Sequence, residues 1–149
     1  MENHIYLRIV EKRDMDLLYD WVNDSLVRKN SFQTEGIPYD DHVVWFNRVL
    51  KDNKILLYIL MDNNTPVGQI RLTINGDEAE IGYSIAKEFR GKGYGHRILQ
   101  LASEKMKKEH CEIKRLIAKV KPENMTSNRL FVDEGYMLDY CCYTYDLSV

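Results

Sequence analysis

The segment Arg90-Gly91-Lys92-Gly93-Tyr94-Gly95 is the part of the chain whose residue types and spacing point most directly to chemistry. Its three glycines occupy alternate positions, where an apolar strand pattern gives way to a helical pattern. Glycine allows a positive φ angle and lets a ligand approach the main chain closely. The start of a helix adds unpaired N–H groups and a partial positive charge. The segment therefore predicts a site for a phosphate-bearing ligand, although a glycine-rich helix start without a ligand would show the same pattern.

The glycine spacing distinguishes between the known kinds of phosphate loop. It matches neither G-x-G-x-x-G nor G-x-x-x-x-G-K-[ST], which excludes the dinucleotide fingerprint and the P-loop. Taken as R-x-x-G-x-G, with Glu80 ten residues upstream, it resembles the acetyl-CoA pyrophosphate loop of the GNAT acetyltransferases. The resemblance implies acetyl-CoA as a co-substrate and no metal. It places these residues against the cofactor: Ile85, Arg90, Gly91, Lys92, Gly93, Tyr94, Gly95, His96, Asn124 and Phe131.

The composition is that of an ordinary soluble domain, with 149 residues, 44% of them hydrophobic and 30% charged. This length predicts a single domain over residues 1–149. No apolar run reaches the roughly 18 residues of a membrane helix, and the first residues show no signal-peptide pattern. The three cysteines are an odd number and include no CxxC pair, which favours reduced thiols in a cytoplasmic protein over disulfides or a metal site.

Charge is unevenly distributed along the chain. Residues 86–121 contain eleven Lys and Arg against four Glu, whereas the whole chain carries a net charge of −2. A basic segment around the glycine-rich loop suits a polyanion such as CoA. Nucleic acid is the competing ligand, but the rest of the chain is acidic and has no stripe of alternating basic and aromatic residues, so we expect no nucleic-acid partner.

Hydrophobic periodicity predicts the element order β-α-α-β-β-β-α-β-α-β-β, with the last two strands in residues 135–147. An antiparallel meander followed by a crossover indicates an α+β layered domain. The same order is that of the GNAT fold, so the resemblance covers nearly the whole chain. It implies a mixed, mostly antiparallel sheet of six to seven strands flanked by helices.

The strand before the loop carries the candidates for proton transfer. An attacking amine must lose a proton, and a carboxylate that acts through water is a suitable base. By resemblance, Glu80 is our candidate base, although a glutamate facing solvent would fit the same position. Gly82, inside this strand, indicates a bulge or a close backbone approach. In GNAT enzymes this strand diverges from its neighbour, and its main chain binds the pantetheine arm.

A second signature begins at Asn124 and continues through Phe131. Asn124 is expected to cap a helix or, by the resemblance, to bond the cofactor arm. Many relatives have a tyrosine at the position of Phe131, where it protonates the departing CoA thiolate. Phenylalanine has no proton to give, so Tyr83, Tyr136, Ser127 or water would have to act instead, or the thiolate would leave unassisted. Tyr83 and Glu80 are the two catalytic candidates.

The acceptor side is predicted from the pattern W-x-N-D-x-x-V-R, which ends at Arg28, and from a later His-x-x-Trp-Phe segment. Together they resemble bacterial N-acetyltransferases of the pseudaminic-acid pathway type, which act on UDP-linked 4-amino-sugars. Arg28 could bond a diphosphate, Trp45 could stack on a ring and His42 could bond a sugar hydroxyl. Core packing is the alternative for the aromatic residues.

Several functions are compatible with these sequence features. The acceptor could instead be a protein N-terminus, a polyamine or an aminoglycoside, and a CoA-binding module without catalysis is a further alternative. We expect a small-molecule amine as the partner, no membrane association, and either a monomer or a homodimer.

Overall fold

A computed structural model describes residues 3–148 as five strands and five α-helices. The strands are β1 (Ile5–Ile9), β2 (Ile55–Asp62), β3 (Thr65–Asn75), β4 (Glu78–Ile85) and β5 (Arg115–Ala118). The helices are α1 (Met15–Val22), α2 (Ser25–Asn30), α3 (Tyr39–Lys51), α4 (Tyr94–Glu109) and α5 (Met125–Asp133). Short 3-10 turns lie at Lys12–Asp14 and Lys87–Phe89.

One sheet contains all five strands in the order β1-β2-β3-β4-β5. The first four strands form an antiparallel meander, and β5 adds to β4 in parallel after the α4 crossover. Asn63, in the β2–β3 turn, and Gly76, in the β3–β4 turn, have positive φ angles of 54° and 65°. Such angles suit the tight hairpin turns that the segments Asp62-Asn63-Asn64-Thr65-Pro66 and Asn75-Gly76 predict.

The two sheet faces are covered by different helices, which explains why β2 is apolar on both sides. Tyr58 and Leu60 belong to a core that includes residues of α4 and α5, whereas Leu57, Ile59 and Met61 pack with residues of α1 and α3. Ile59 and Leu60 are both fully buried, at 0% exposure. Leu57 is opposite Arg71 on β3, and Arg71 is opposite Gly82 on β4. Because residues that are directly opposite each other lie on the same face of a sheet, Arg71 and Gly82 lie on the α1–α3 face.

The sequence analysis predicted six to seven strands, and this number was wrong, since residues 3–148 contain five. Residues 135–147 form no strand and make no backbone hydrogen bond with β5 in the described structure. Met137 and Tyr143 are 88% and 93% exposed, and an ion pair of 3.1 Å between Arg115 and Asp139 ties this segment to the sheet edge. The alternating pattern was present, but a strand forms only where a neighbouring edge pairs with it.

None of the helices among residues 3–148 is long and apolar enough to cross a membrane. Within the same residues, no group of three His, Cys, Asp or Glu side chains is arranged to hold a metal ion.

Candidate active site

The parallel strands β4 and β5 separate halfway along β4. Pairing runs from Glu78 opposite Arg115 to Ile81 opposite Ala118, and β4 then continues to Ile85 without a partner on that side. The main chain of residues 82–85 therefore has no strand partner along one edge, as the resemblance described above implies. A groove of about 1490 Å³ passes through this opening and joins the glycine-rich loop to a space beneath α2 and α3.

The glycine-rich loop has the backbone geometry of an anion site. Gly91 and Gly93 have φ angles of 75° and 86°, and Gly93 is the residue that precedes α4. Within the described chain, the N–H groups of residues 91–93 donate to no backbone carbonyl. The first N–H groups of α4 add to them, because a helix start leaves its donors unpaired. The donors and the helix dipole at this end favour a bound phosphate.

Gly95 has a packing role in the first turn of α4. A Cβ atom placed there would lie 2.9 Å from Cδ2 of Leu130 on α5. A side chain at this position would require the side chain of Leu130 to move, so Gly95 allows α4 and α5 to pack closely.

Arg90 does not point its guanidinium toward the loop interior. Its Nε donates to the carbonyl oxygen of Ile85 at 3.0 Å, and its Nη2 lies 2.7 Å from Oδ2 of Asp24. Asp24 also caps α2 by accepting from the N–H groups of Leu26 and Val27. Partial burial alone would raise the pKa of Asp24. The hydrogen bond and charge of Arg90 and the two backbone N–H bonds outweigh burial, so the pKa of this carboxyl is lowered. Arg90 therefore holds the loop between the end of β4 and the start of α2.

Lys92, Tyr94 and His96 lie around the loop with different constraints. Nζ of Lys92 is 5.6 Å from the ring centre of Phe89. The Tyr94 hydroxyl donates to Asp62, and this bond, with a contribution from burial, raises the pKa of Tyr94. Nδ1 of His96 is 2.8 Å from a carboxylate oxygen of Glu134, which links α4 to the end of α5. Tyr94 and His96 line the groove with their side chains already bonded to neighbours.

Asn124 caps α5, because its Oδ1 accepts from the N–H of Ser127 at 3.2 Å. Its side chain also lines the groove, so a contact with the cofactor arm is compatible with the cap. Phe131 is 7% exposed and packs edge-on against Tyr83 and Tyr136, with ring centres 5.8 and 5.0 Å away.

A hydroxyl pair lies beside the phenylalanine. The oxygen atoms of Tyr83 and Ser127 are 2.7 Å apart, and both residues line the groove between β4 and α5. Burial raises the pKa of Tyr83, with the bond to Ser127 acting weakly in the other direction, so the phenol keeps its proton at neutral pH. Tyr136 differs, because its buried hydroxyl has no hydrogen-bond partner among the described residues. Burial raises the pKa of Tyr136 to about 12, and its side chain is not part of the groove wall.

Glu80 lies on the acceptor side of the strand opening, where it lines the groove. Its carboxylate is 2.9 Å from Nζ of Lys119, and both side chains are about half exposed. Glu80 shares a sheet face with Gly82, in line with the alternation expected from the sequence.

The acceptor residues predicted from the sequence differ in how far their side chains are already hydrogen-bonded within the protein. Arg28 donates to the carbonyl oxygens of Val22, Gln33 and Glu35 and to the Ser31 hydroxyl. This network holds the loop after α2, and burial lowers the pKa of Arg28. His42 is 2% exposed, with Nε2 2.8 Å from the carbonyl oxygen of Met15. All three residues line the cavity, but among the described residues Trp45, unlike Arg28 and His42, makes no side-chain hydrogen bond.

Arg71, in the middle of β3, is a groove residue that the sequence analysis missed. Its guanidinium lies 5.9 Å from the ring centre of Trp45 and beside Gly82 on the next strand. A Cβ atom at position 82 would come within 3.3 Å of Nη2 of Arg71. A single arginine inside the apolar run VGQIRLTI was the available signal, but it belongs to no motif.

A positive-φ glycine loop at a helix start, next to two parallel strands that separate, defines a protein that binds a phosphate-bearing cofactor with an extended arm. A family model described as Acetyltransferase (GNAT) domain matches residues 4–136. The chain belongs to this family. It is an acetyl-CoA-dependent N-acetyltransferase, and the α+β GNAT fold expected from the sequence is confirmed.

Similarity to individual proteins is low in sequence and high in fold. The chain is 23% identical over 133 residues to the uncharacterized N-acetyltransferase YfmK of Bacillus subtilis (strain 168), covering 89% of this chain and 84% of that protein. Spermidine N-acetyltransferase from Vibrio cholerae, solved with CoA and spermine, superposes with a TM-score of 0.84 at 21% identity, covering 91% of this chain and 82% of the other. AAC(6')-Ib, solved with ribostamycin and coenzyme A, gives a TM-score of 0.78 at 20% identity, covering 89% and 83%.

Proposed function

We propose that this acetyltransferase acts on the primary amine of a small molecule, by direct attack in a ternary complex, and that the acceptor is a UDP-linked 4-amino-sugar. The observation that carries the reaction geometry is the single groove that joins the glycine-rich loop to the acceptor cavity through the β4–β5 opening. Both substrates can enter this groove from opposite sides of the sheet edge. A direct transfer needs no acyl-enzyme, and hence no nucleophilic side chain.

The cofactor side of the proposal rests on main-chain groups. The N–H groups of residues 91–95 would hold the pyrophosphate, and the open edge of residues 82–85 would hold the pantetheine arm. Bound acetyl-CoA supplies the activated acetyl group and a thiolate leaving group. A backbone N–H on the open edge of β4 would polarise the thioester carbonyl, an effect worth roughly 3–4 kcal/mol for one such donor.

Glu80 is the proposed base for the acceptor amine. Its position on the acceptor side of β4 supports action through a water molecule, since a base must be within hydrogen-bond reach of the proton directly or through one water. Nζ of Lys119 lies 2.9 Å from this carboxylate and holds it in place. In this proposal Lys119 orients the base rather than the substrate.

Tyr83 is the proposed acid for the leaving sulfur. Its hydroxyl lies beside Phe131, near the place that a tyrosine side chain would otherwise serve, and Ser127 lies within hydrogen-bond distance of it. A phenol with a raised pKa stays protonated while the reaction proceeds. Ser127 can orient the proton and connect it with water in the groove.

The proposed acceptor follows from a sequence pattern and from an aromatic side chain in the groove. The W-x-N-D-x-x-V-R pattern supports a nucleotide sugar, with Trp45 available to stack on a ring. A polyamine or an aminoglycoside is the second candidate, because two structures with the same fold contain spermine and ribostamycin.

The first experiment is a thiol-release assay with acetyl-CoA and a panel of amines: UDP-4-amino-4,6-dideoxy sugars, spermidine, ribostamycin and an N-terminal peptide. Turnover restricted to the nucleotide sugars is the expected result. Turnover restricted to another member would keep the reaction and replace the acceptor. Binding of acetyl-CoA without turnover of any amine would favour a binding module.

The assay is repeated with Glu80→Gln to test the base. We expect kcat to fall about 100-fold and the acid limb of its pH profile to change. Glu78→Gln is the matched control, since Glu78 lies two residues away on the same strand and pairs with Arg115. Equal profiles for the two variants would remove Glu80 from the mechanism.

A further inference from the structure

Arg71 places a positive charge in the middle of the central strand. Its neighbours Ile70 and Leu72 are both 0% exposed on the opposite face of the sheet. The guanidinium lies on the acceptor face, beside the ring of Trp45 and over the space that Gly82 leaves open. Burial lowers the pKa of Arg71, but a guanidinium remains charged at neutral pH.

This guanidinium has no hydrogen-bond or ion-pair partner among the described residues; it interacts there with the ring of Trp45 and with the more distant charge of Glu80. No carboxylate lies within ion-pair distance of it, and it donates no hydrogen bond there. Glu80 lies on the same face, but its carboxylate is paired with Lys119. Arg71 lines the groove, so its N–H donors, which bond to no protein group among the described residues, are available to a ligand there.

Other partly buried arginines of the chain each donate at least one side-chain hydrogen bond, whereas Arg71 donates none among the described residues. Arg8 forms two bonds with Asp14, at 2.7 and 2.8 Å, and Arg90 is bonded to Asp24. Arg28 donates to three carbonyl oxygens and a hydroxyl. A partly buried charge without a partner is costly, so an arginine kept in this state at a cavity wall indicates a ligand that completes it.

We propose that Arg71 binds an anionic group of the acceptor, a carboxylate or a phosphate, so that the substrate is an amine that also carries an acid. The inference rests on the proposed function and narrows its substrate class. A planar guanidinium matches either group through two parallel hydrogen bonds. A polyamine would bring further positive charge to the same wall, and the charges would repel.

The spacing of the residues places the acid and the amine of the acceptor close together. Arg71 is opposite Gly82 in the sheet, and Glu80 is two residues before Gly82 on the same strand. Two residues of a strand span about 7 Å. The anion at Arg71 and an amine within reach of Glu80 through water therefore lie on one compact substrate.

The test uses matched pairs of amines that differ in the acid group. One pair is β-alanine and propylamine, the second is a UDP-linked 4-amino sugar and the free 4-amino sugar, and spermidine is the polycation. Each is measured with wild type and with Arg71→Gln. Binding of β-alanine and of UDP to the protein saturated with CoA is measured by calorimetry, so that the phosphate loop is already filled. The β-alanine arm detects carboxylate recognition, and the UDP arm detects phosphate recognition.

We expect wild type to prefer the acid member of at least one pair, and Arg71→Gln to reduce kcat/KM for that member about 10- to 100-fold. The value for its neutral partner should change little. Arg71→Lys should recover part of the loss, because it keeps the charge but not the fork. Arg48→Gln is the control for net charge, since Arg48 is exposed on α3 outside the groove.

The outcomes separate this inference from the proposed function. Acid binding that is lost in Arg71→Gln, without turnover of any amine, would support the anion site and remove the proposed reaction. Turnover with equal preference for acid and neutral amines, or with spermidine preferred, would keep the reaction and overturn the anion site. An unchanged acid preference in Arg71→Gln would also overturn it.

Discussion

The two ends of the groove differ in the chemical groups that form them. The proposed cofactor end consists of main-chain groups that are close in sequence, in residues 82–85 and 91–95. The proposed acceptor end consists of side chains from distant segments, including Trp45 of α3, Arg71 of β3 and Glu80 of β4. A site made from the main chain depends on backbone angles, and its sequence signal is a short pattern of glycines. A site made from side chains depends on the whole fold and leaves no local pattern.

This difference predicts how the two ends respond to substitution. The cofactor end should be sensitive at its glycines and tolerant at its charged side chains. The acceptor end should show the opposite behaviour. Each of the following variants tests one part of that contrast.

The largest effect is expected at Gly93. Its φ of 86° is strongly unfavourable for a β-branched residue, so Gly93→Val should rearrange the loop and raise the Kd for acetyl-CoA about 100-fold or more. Gly76→Val is the matched control, since Gly76 has a φ of 65° in the β3–β4 turn outside the groove. Calorimetry and thermal unfolding should show both variants destabilised but only Gly93→Val impaired in binding. A normal Kd for Gly93→Val would mean that the loop geometry does not make the site.

Tyr83 lies where the two ends of the groove meet, and its substitution should give the next largest effect. Tyr83→Phe removes the hydroxyl beside Ser127, and we expect kcat to fall about 10- to 100-fold with little change in KM for acetyl-CoA. Tyr136→Phe removes a buried hydroxyl without a partner and should leave kcat unchanged. Rates should be measured with the preferred amine across pH. Similar rates for wild type and Tyr83→Phe would assign the proton to water.

The contrast also explains which structural features the sequence could predict. The sequence predicts a strand over Glu78–Ile85 and helices over Tyr94–Glu109 and Met125–Asp133, and these are the bounds of β4, α4 and α5. The agreement arises because a glycine loop, a cap at Asn124 and regular periodicity are local signals. The loop geometry at Gly91 and Gly93 followed from the same kind of signal.

The features that the sequence did not predict depend on contacts between distant segments. The α2 helix has only six residues. Its cap, Asp24, also forms an ion pair with Arg90, and this pair depends on the fold that brings the two residues together. Residues 135–147 have a pattern that predicts two strands, but they form no backbone hydrogen bond with the free edge of β5. Arg71 became a candidate only when the sheet register placed it opposite Gly82.

The ion pair between Asp24 and Arg90 links the two ends, and it should give a moderate effect on both. Asn caps a helix about as well as Asp, so Asp24→Asn removes the charge while keeping the α2 cap. We expect KM for acetyl-CoA and for the amine each to rise about threefold, and the free energy of unfolding to fall by about 1 kcal/mol.

The pH dependence of that stability difference follows from the lowered pKa of Asp24. A carboxyl whose pKa is lower in the folded state stabilises the protein above the unfolded-state value near 3.8. The contribution disappears as pH falls through the lower, folded-state pKa. Denaturant unfolding should therefore give a constant difference between wild type and Asp24→Asn from pH 6 to 8, and the two curves should converge below about pH 4. A difference that grows on acidification would contradict the role of this pair.

The smallest effect is expected at Lys92, and it tests the cofactor end most strictly. If main-chain N–H groups hold the pyrophosphate, the exposed Lys92 contributes only a screened charge, and Lys92→Gln should raise the Kd for acetyl-CoA about two- to threefold. The increase should shrink in added salt, because charges at the surface are screened within about 10 Å at 0.1 M. Lys107→Gln, on the exposed far end of α4, carries the same charge change and should have no effect. A 100-fold loss in Lys92→Gln that persists in salt would show that a side chain, not the main chain, makes this end of the groove.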